Sequence, residues 1–381
     1  LQQAGYQTAY VGKWHMGHYN DDPRPGFDYW ASFKGQGTYY NPSMNVNGER
    51  VNYSDSAYVT DVLTEYAIDF LDNRPKDKPF FMYLSHKAVH SEFLPAPRHN
   101  DKYADGEIHY PRTMFPPGHE RSTVTEKEYN YSDVPNWVKE QRYSWHGVDH
   151  MYHGEYDFES FYKKYCETLL ALDESIGQVL QYLEDKGLME NTTVFYMGDN
   201  GFSFGEHGLI DKRQAYEESM RVPLLVLSKG HMEAGSKVSQ VVQNIDIAPT
   251  IMDLAGMNTP ETMDGSSFAP ILQGESIPWK DTIYYEYFWE RPFPQTPTVH
   301  AIRTDRYKYI RYHGIWDINE LYDLQNDPQE MNNLIRNPEY TELSKNLRNQ
   351  LFDWLERTDG QKMELKRDQG QRFDYKYRGT Y

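Results

Sequence analysis

Apolar and polar positions follow two rhythms along this chain. Short runs that are apolar almost throughout, namely Thr8 to Val11, Pro79 to Ser85, Thr193 to Gly198 and Val222 to Leu227, are bounded by glycine, proline or polar residues. That is the pattern of strands buried on both faces. Between them apolar residues recur at helical spacing. Asp55 to Leu71 carries Val59, Val62, Leu63, Tyr66, Ala67 and Phe70 on one stripe, and Phe158 to Leu183 carries Phe161, Tyr165, Leu169, Leu172, Ile176, Val179 and Leu180 before Gly187. Ile245 to Leu254 is a further helix, with Asp246 at its start and Gly256 beyond its end. Strands alternating with helices predict an α/β fold with a mostly parallel sheet between helices.

After Pro278 the rhythm changes. Thr282 to Trp289 and Ala301 to Tyr312 read as strands, with a hairpin turn in Arg303-Thr304-Asp305-Arg306-Tyr307-Lys308, and Glu342 to Glu356 reads as one amphipathic helix. The expected organisation is an α/β domain over 1–277, a small α+β subdomain (antiparallel sheet plus helix) over 278–359, and a polar tail over 360–381. Residues 97–150 form a connection far longer than the roughly 15 residues usual in a compact domain. Its Trp137, Tyr143, Trp145, His146 and His150 are too aromatic for a disordered tail, so it is expected to be ordered on the substrate side, with Trp145 and His146 as substrate-binding candidates.

Composition narrows the partners. With 39 Lys+Arg against 57 Asp+Glu the formal charge is -18, which argues against nucleic acid and requires a local cationic pocket for any anionic ligand. The 33 tyrosines, 8 tryptophans and 17 phenylalanines supply flat faces that suit sugar rings as well as cores. Cys166 is the only cysteine, which excludes an internal disulfide or a cysteine-rich zinc site. No apolar run approaches the ~20 residues of a membrane span. Leu1 to Gly5 reads as the last turn of a helix, so sequence is expected upstream, and the lack of a signal peptide says nothing about compartment.

Three of the predicted strands end in chemistry: the first in Gly12-Lys13-Trp14-His15, the second in His86-Lys87-Ala88-Val89-His90, the third in Asp199-Asn200-Gly201. Each alone has an ordinary explanation as a surface lysine, a packed histidine or a capped turn. Together they place ammonium, imidazole and carboxylate at one edge of a sheet, where open α/β folds bind ligands. Asp199 and Asn200 are hard oxygen donors suited to calcium or magnesium rather than zinc. Two oxygens cannot fill such a shell, so further ligands must come from elsewhere.

Gly5 to His15, Met197 to Gly201, Asp211 to Glu217 with Arg221-Val222-Pro223, Asn244 to Thr250 and Leu321 to Pro328 resemble, in order, landmarks of the sulfatases, members of the alkaline-phosphatase-like superfamily. Tyr39-Tyr40-Asn41, Asn47-Gly48 and Tyr58 to Asp61 look most like the N-acetylglucosamine-6-sulfatase and mucin-desulfating group. The resemblance implies hydrolysis of a sulfate monoester on a carbohydrate, using one Ca2+ (Mg2+ less favoured) and a formylglycine installed by a maturing enzyme. It implies calcium ligation by Asp199 and Asn200, neutralisation of sulfate and leaving-group charge by Lys13 and Lys212, and proton handling by His15 and His90. His207 is expected in the pocket, with a turn role as the alternative. A secreted, periplasmic or lysosomal location follows from the substrate class.

Two departures qualify the resemblance. Ser91-Glu92 follows His90 where the family usually has proline, which leaves His86 as a rival. The family's Cys/Ser-x-Pro-x-Arg motif and its paired upstream aspartates are absent, and Cys166 lies on a helix without them. The 381 residues alone are therefore expected to lack activity. A non-catalytic sulfoglycan-binding protein is an alternative, while a phosphatase or phosphodiesterase is disfavoured by Asn200, where a two-zinc site would offer histidine.

Overall fold

The computed structural model describes residues 1–16, 20–151, 157–290 and 293–362. In chain order come β1 (Gln7–Lys13), β2 (Tyr29–Phe33), β3 (Ser43–Val46), β4 (Glu49–Asn52), α1 (Val59–Asn73) and β5 (Phe80–Ser85). After the long connection, which includes α2 (Asn136–Gln141), follow α3 (Phe158–Asp185), β6 (Thr193–Met197), α4 (Glu217–Met220), β7 (Leu224–Ser228), α5 (Ile247–Leu254) and α6 (Ala269–Leu272). The last part is β8 (Thr282–Tyr287), β9 (Thr298–Thr304), β10 (Tyr307–His313), β11 (Glu320–Asp323) and α7 (Thr341–Arg357). The polar tail from 363 onward lies outside the described residues.

β1 is the axis of a five-stranded mixed sheet, ordered β4-β3-β2-β1-β5. It runs parallel to both β2 and β5, whereas the β2–β3 and β3–β4 pairs are antiparallel. Gly12 lets β1 and β5 approach, since a Cβ there would lie 1.8 Å from the Ser85 carbonyl oxygen. α1 covers one face, with Val59, Val62 and Leu63 in a core shared with Val11, Phe33 and Met44. α3 lies behind it, and the Thr64 and Ser175 hydroxyls meet at 2.6 Å.

The expectation of strands buried on both faces holds for β1 but not for β5, β6 and β7. Among the described residues β5 pairs only with β1, and β6 and β7 form a separate antiparallel pair. With one neighbour each, β5 and β6 are edge strands, and Tyr83, Leu225 and Leu227 are exposed. The antiparallel course of β7 departs from the parallel order that strand–helix alternation suggested.

The C-terminal sheet, ordered β11-β10-β9-β8, is antiparallel throughout. Leu347, Leu351 and Leu355 of α7 pack on Ile302, Tyr309 and Leu321, and burial of each such leucine contributes roughly 1.5–3 kcal/mol. What ties this sheet to the preceding chain is polar. Lys308 on β10 is fully buried, with Nζ 3.0 Å from Glu217 Oε1 of α4 and 2.7 Å from Glu330 Oε1. Arg303 on β9 donates to both Glu217 oxygens at 3.0 and 3.2 Å. Nearby, the buried Glu320 accepts hydrogen bonds from the hydroxyls of Tyr216, Tyr312 and Tyr322.

Candidate functional site

The carboxyl ends of β1, β5 and β6 open into a cleft of about 2650 Å³, walled by the Lys34–Tyr40 loop, the Lys87–Glu92 segment, Asp199, Asn200, Lys212 and Arg213. Each chemical group arrives there for a local reason. At the end of β1 the carbonyl of Lys13 accepts hydrogen bonds from Ser85 Oγ at 3.0 Å and from the Tyr10 hydroxyl, which fixes the backbone on which Lys13 and His15 sit. Trp14 between them turns into an aromatic cluster, with ring centroids 5.1 Å from Tyr10 and 5.5 Å from Trp30. His15 takes a left-handed backbone (φ 57), and the Gln36 amide donates to its Nε2 at 3.0 Å.

After β5 the two rival histidines part. His86 faces α3, with Nε2 3.3 Å from Ser175 Oγ, and burial holds it down to about 4. His90 lines the cleft, its carbonyl accepting from the Tyr39 hydroxyl at 2.6 Å. His90 Nδ1 meets the Ser91 carbonyl, which can only accept, so Nδ1 carries the proton and Nε2 the lone pair of the neutral ring. Burial holds this imidazole well below its usual range, and Lys13, Lys87 and Lys212 hold it lower still.

The Asp199-Asn200-Gly201 turn follows β6. Gly201 is needed for close approach, since a Cβ there would lie 2.0 Å from the Glu218 carbonyl oxygen, and its N–H bonds the Ser219 carbonyl at 3.0 Å. α4, keyed to the C-terminal sheet through Glu217, thereby supports the turn. Asp199 and Asn200 are exposed to the cleft, and Lys212 Nζ donates to Asn200 Oδ1 at 2.8 Å. A carboxylate and an amide oxygen fit a hard divalent cation by donor type. Among the described residues no group of three His, Cys, Asp or Glu side chains completes such a shell.

The electrostatics are those of an anion site. Burial pulls Lys13 down to about 8, with Asp199 opposing and Lys212 reinforcing the shift. Lys87, only 6% exposed, is pulled to about 8 by burial and by Lys13, and burial lowers Lys212 as well. None of the three ammonium groups has a carboxylate in ion-pair contact among the described residues; Lys87 Nζ instead donates to the Gln36 carbonyl at 3.2 Å. Buried cations without counter-charges are costly unless an anion arrives. Lys87 was not singled out by its sequence context, in which a lysine between two histidines reads as a surface residue.

Four expected residues do not line the cleft; one is Lys13, which stands close enough to Asp199 and Lys212 for both to act on its ammonium. His207 is buried, stacked on Tyr216 at 4.0 Å with Nδ1 3.3 Å from the Tyr129 hydroxyl, which gives it the turn role. Trp145 is part-exposed outside the cleft walls. His146 is buried behind them, its ring 5.5 Å from Phe293, the wall residue over which the Arg213 guanidinium lies at 3.5 Å. The long connection packs against the cleft wall rather than lining it.

Residues 1–257 match the family model described as Sulfatase, and residues 205–357 match the one described as N-sulphoglucosamine sulphohydrolase, C-terminal. The chain is 34% identical to an N-acetylglucosamine-6-O-sulfatase of Bacteroides thetaiotaomicron, covering 95% of this chain and 71% of that protein. It is 28% identical to the N-acetylglucosamine-6-sulfatase of Homo sapiens, covering 87% of this chain and 64% of that protein. A solved structure described as a complex with its substrate D-glucosamine-2-N,6-O-disulfate superposes with a TM-score of 0.82 at 31% identity, covering 96% of this chain and 82% of that one. The phosphonate monoester hydrolase of Agrobacterium radiobacter shares the fold, with a TM-score of 0.68 at 20% identity over 92% of this chain and 78% of that one.

Proposed function

Because the chain belongs to the sulfatase family, we propose that it serves the hydrolysis of a sulfate monoester on an amino sugar, with 6-O-sulfated N-acetylglucosamine in glycosaminoglycan or mucin glycans as the substrate. The observation that carries this reading is the set of three ammonium groups near the cleft mouth, Lys87 buried and Lys13 and Lys212 half-buried, with no carboxylate in ion-pair contact among the described residues. The substrate assignment is supported by the relatives described as acting on that sugar.

Lys13 and Lys212 hold the sulfate oxygens and offset the charge that grows on the leaving oxygen, a role suited to fixed cations in a site that excludes water. His15, oriented by Gln36, stands near the attacking side. His90 is neutral when the site is empty, and a bound sulfate beside it raises its proton affinity. Substrate binding thus brings a proton to His90, which delivers it to the departing sugar oxygen. Asp199 and Asn200 would hold the divalent metal that family members generally use, Ca2+ on this reading. That ion would supply further positive charge to the sulfate.

The nucleophile is not among these residues. Burial raises the Cys166 thiol, the reverse of what a reactive thiolate needs. The formylglycine that the family generally uses would come from sequence outside these 381 residues, installed by a formylglycine-generating or sulfatase-maturing enzyme. The chain alone then binds its ligand without turning it over. Among the described residues no helix is long and apolar enough to cross a membrane. A secreted, periplasmic or lysosomal setting is the one that suits such a substrate.

Calorimetric titration with N-acetylglucosamine 6-sulfate tests the anion site. Saturable binding is expected at pH 7, weakening as pH rises through about 8, because Lys13 and Lys87 are ammonium ions below that value and neutral amines above it. Each lysine then costs about tenfold per pH unit well above its midpoint. No binding at pH 7, or an affinity unchanged up to pH 9.5, would remove the reading.

A further inference from the structure

Gln36 ties together two cleft residues that come from different strands. Its side-chain nitrogen lies 3.0 Å from His15 Nε2, just past β1, and its main-chain carbonyl accepts from Lys87 Nζ, just past β5, at 3.2 Å. Both residues line the cleft, as does Gln36 itself. The backbone holds it there. The Gly37 N–H bonds the Lys34 carbonyl at 3.1 Å and closes a turn around Gln36, and the glycines on either side take left-handed backbones, φ 56 at Gly35 and φ 66 at Gly37. A Cβ at Gly37 would stand 2.5 Å from the ring of Phe33, which shares a core with Val11 of β1. Further along the same loop the Tyr39 ring lies 4.6 Å from the Lys87 ammonium, and the Tyr39 hydroxyl donates to the His90 carbonyl at 2.6 Å. The loop is thus fixed to the segment after β5, and Gln36 reaches from it to His15.

The contact with His15 runs in one direction. An amide nitrogen only donates, so His15 Nε2 accepts and the neutral ring carries its proton on Nδ1. Gln36 Oε1 is buried without a hydrogen-bond partner among the described residues, so the bond to His15 is the one that orients this amide. The lone pair that a general base would use is therefore already engaged. We propose that Gln36 is a positioning residue that commits neutral His15 to the Nδ1-protonated tautomer, so that His15 serves the sulfate or its attacking group as a hydrogen-bond donor and not as a base. The part played toward the sulfate rests on the sulfate-ester reading above; the tautomer stands on the Gln36 contact alone.

The test is the nitrogen-15 spectrum of the histidine rings in the 381-residue chain at pH 7, with the His15 signals assigned by their loss in His15→Ala. The native ring is expected to show a protonated Nδ1 and a bare Nε2, with at least about a tenfold excess of that form, as one hydrogen bond sustains. Gln36→Met, which removes the donor and keeps the length, is expected to abolish the excess. Gln36→Glu offers an acceptor in place of a donor and is expected to draw a proton onto Nε2. Melting curves of both variants establish that they fold, and a purely structural role for Gln36 would leave the tautomer where it was. A proton on Nε2 in the native ring, or a ring that stays Nδ1-protonated in both variants, overturns the proposal. The spectrum is read without ligand, so failure of the sulfate-ester reading and failure of this proposal are told apart: calorimetry with N-acetylglucosamine 6-sulfate decides the first and the ring nitrogens the second.

Discussion

Replacing Lys212 with methionine is expected to weaken binding of N-acetylglucosamine 6-sulfate ten- to hundredfold, the loss of one hydrogen bond to a charged group. In protein that also carries the nucleophile segment, the same change is expected to lower kcat by about 10²–10³, as removal of one fixed transition-state donor does. The reason is positional. Lys212 Nζ is 2.8 Å from Asn200 Oδ1 and close enough to Asp199 for that carboxylate to oppose the effect of burial on the ammonium. Methionine fills a similar volume, so the melting temperature should barely move while affinity falls. Calorimetry and inorganic-sulfate release measure the two effects separately. An unchanged affinity would make Lys212 a bystander that merely tethers Asn200.

Lys308→Met is expected to be the most destabilising of the conservative-sized substitutions. The change leaves Glu330 without its cation and Glu217 with only Arg303, and breaking one partner of a buried pair costs about 3–5 kcal/mol. The loss should depend on pH in a defined sense. Burial pushes Glu330 up to about 8 against the pull of Lys308, so its folded value lies above its unfolded one. A carboxyl raised in this way is stable as the acid and is penalised as pH rises from the ordinary carboxylate range through about 8. Because native Glu330 and the variant's Glu330 both hold their proton below that value, the variant's deficit, measured by urea unfolding, should be nearly level up to about pH 8 and grow above it, where the native carboxylate still has Lys308 and the variant's has no cation. A deficit under about 1 kcal/mol at pH 8, within the range of exposed pairs, would show that the network contributes little. Because Glu217 begins α4, and Ser219 of α4 holds the Gly201 N–H, the same variant is also expected to loosen the Asp199-Asn200 turn.

What could be read from the sequence, and what could not, divides along local and distant causes. The strands β1, β5 and β6 and the chemistry at their ends were visible because apolar runs closed by Gly12, His86 and Gly198 are local signals. So were α1, α3, α5 and α7, whose stripes repeat at helical spacing. The order of the sheets was less visible. β2 to β4 are short, and β7 reads like any buried strand, yet it pairs antiparallel with β6. Lys87 and Lys308 escaped notice for the same reason, since each looks like a surface lysine in its own segment. Lys87 is enclosed by Gln36 and Tyr39, about fifty residues upstream, and Lys308 by Glu217, ninety-one residues upstream. His207 is the opposite case, where the sequence left a pocket role and a turn role open. Glu206-His207-Gly208 sits beside the site in sequence, but the stacking of Tyr216 and the contact with Tyr129 turn the imidazole away from the cleft.

The central claim is that this cleft is the anion half of a sulfate-ester hydrolase whose nucleophile lies outside these residues. Inorganic-sulfate release from N-acetylglucosamine 6-sulfate, measured side by side for the 381-residue chain and for the same residues joined to a matured Cys- or Ser-x-Pro-x-Arg segment, tests it most directly. The account predicts no release by the first and release by the second, with N-acetylglucosamine 6-phosphate turned over far more slowly. Sulfate release by the 381 residues alone, or faster hydrolysis of the phosphate ester by the joined protein, would contradict it.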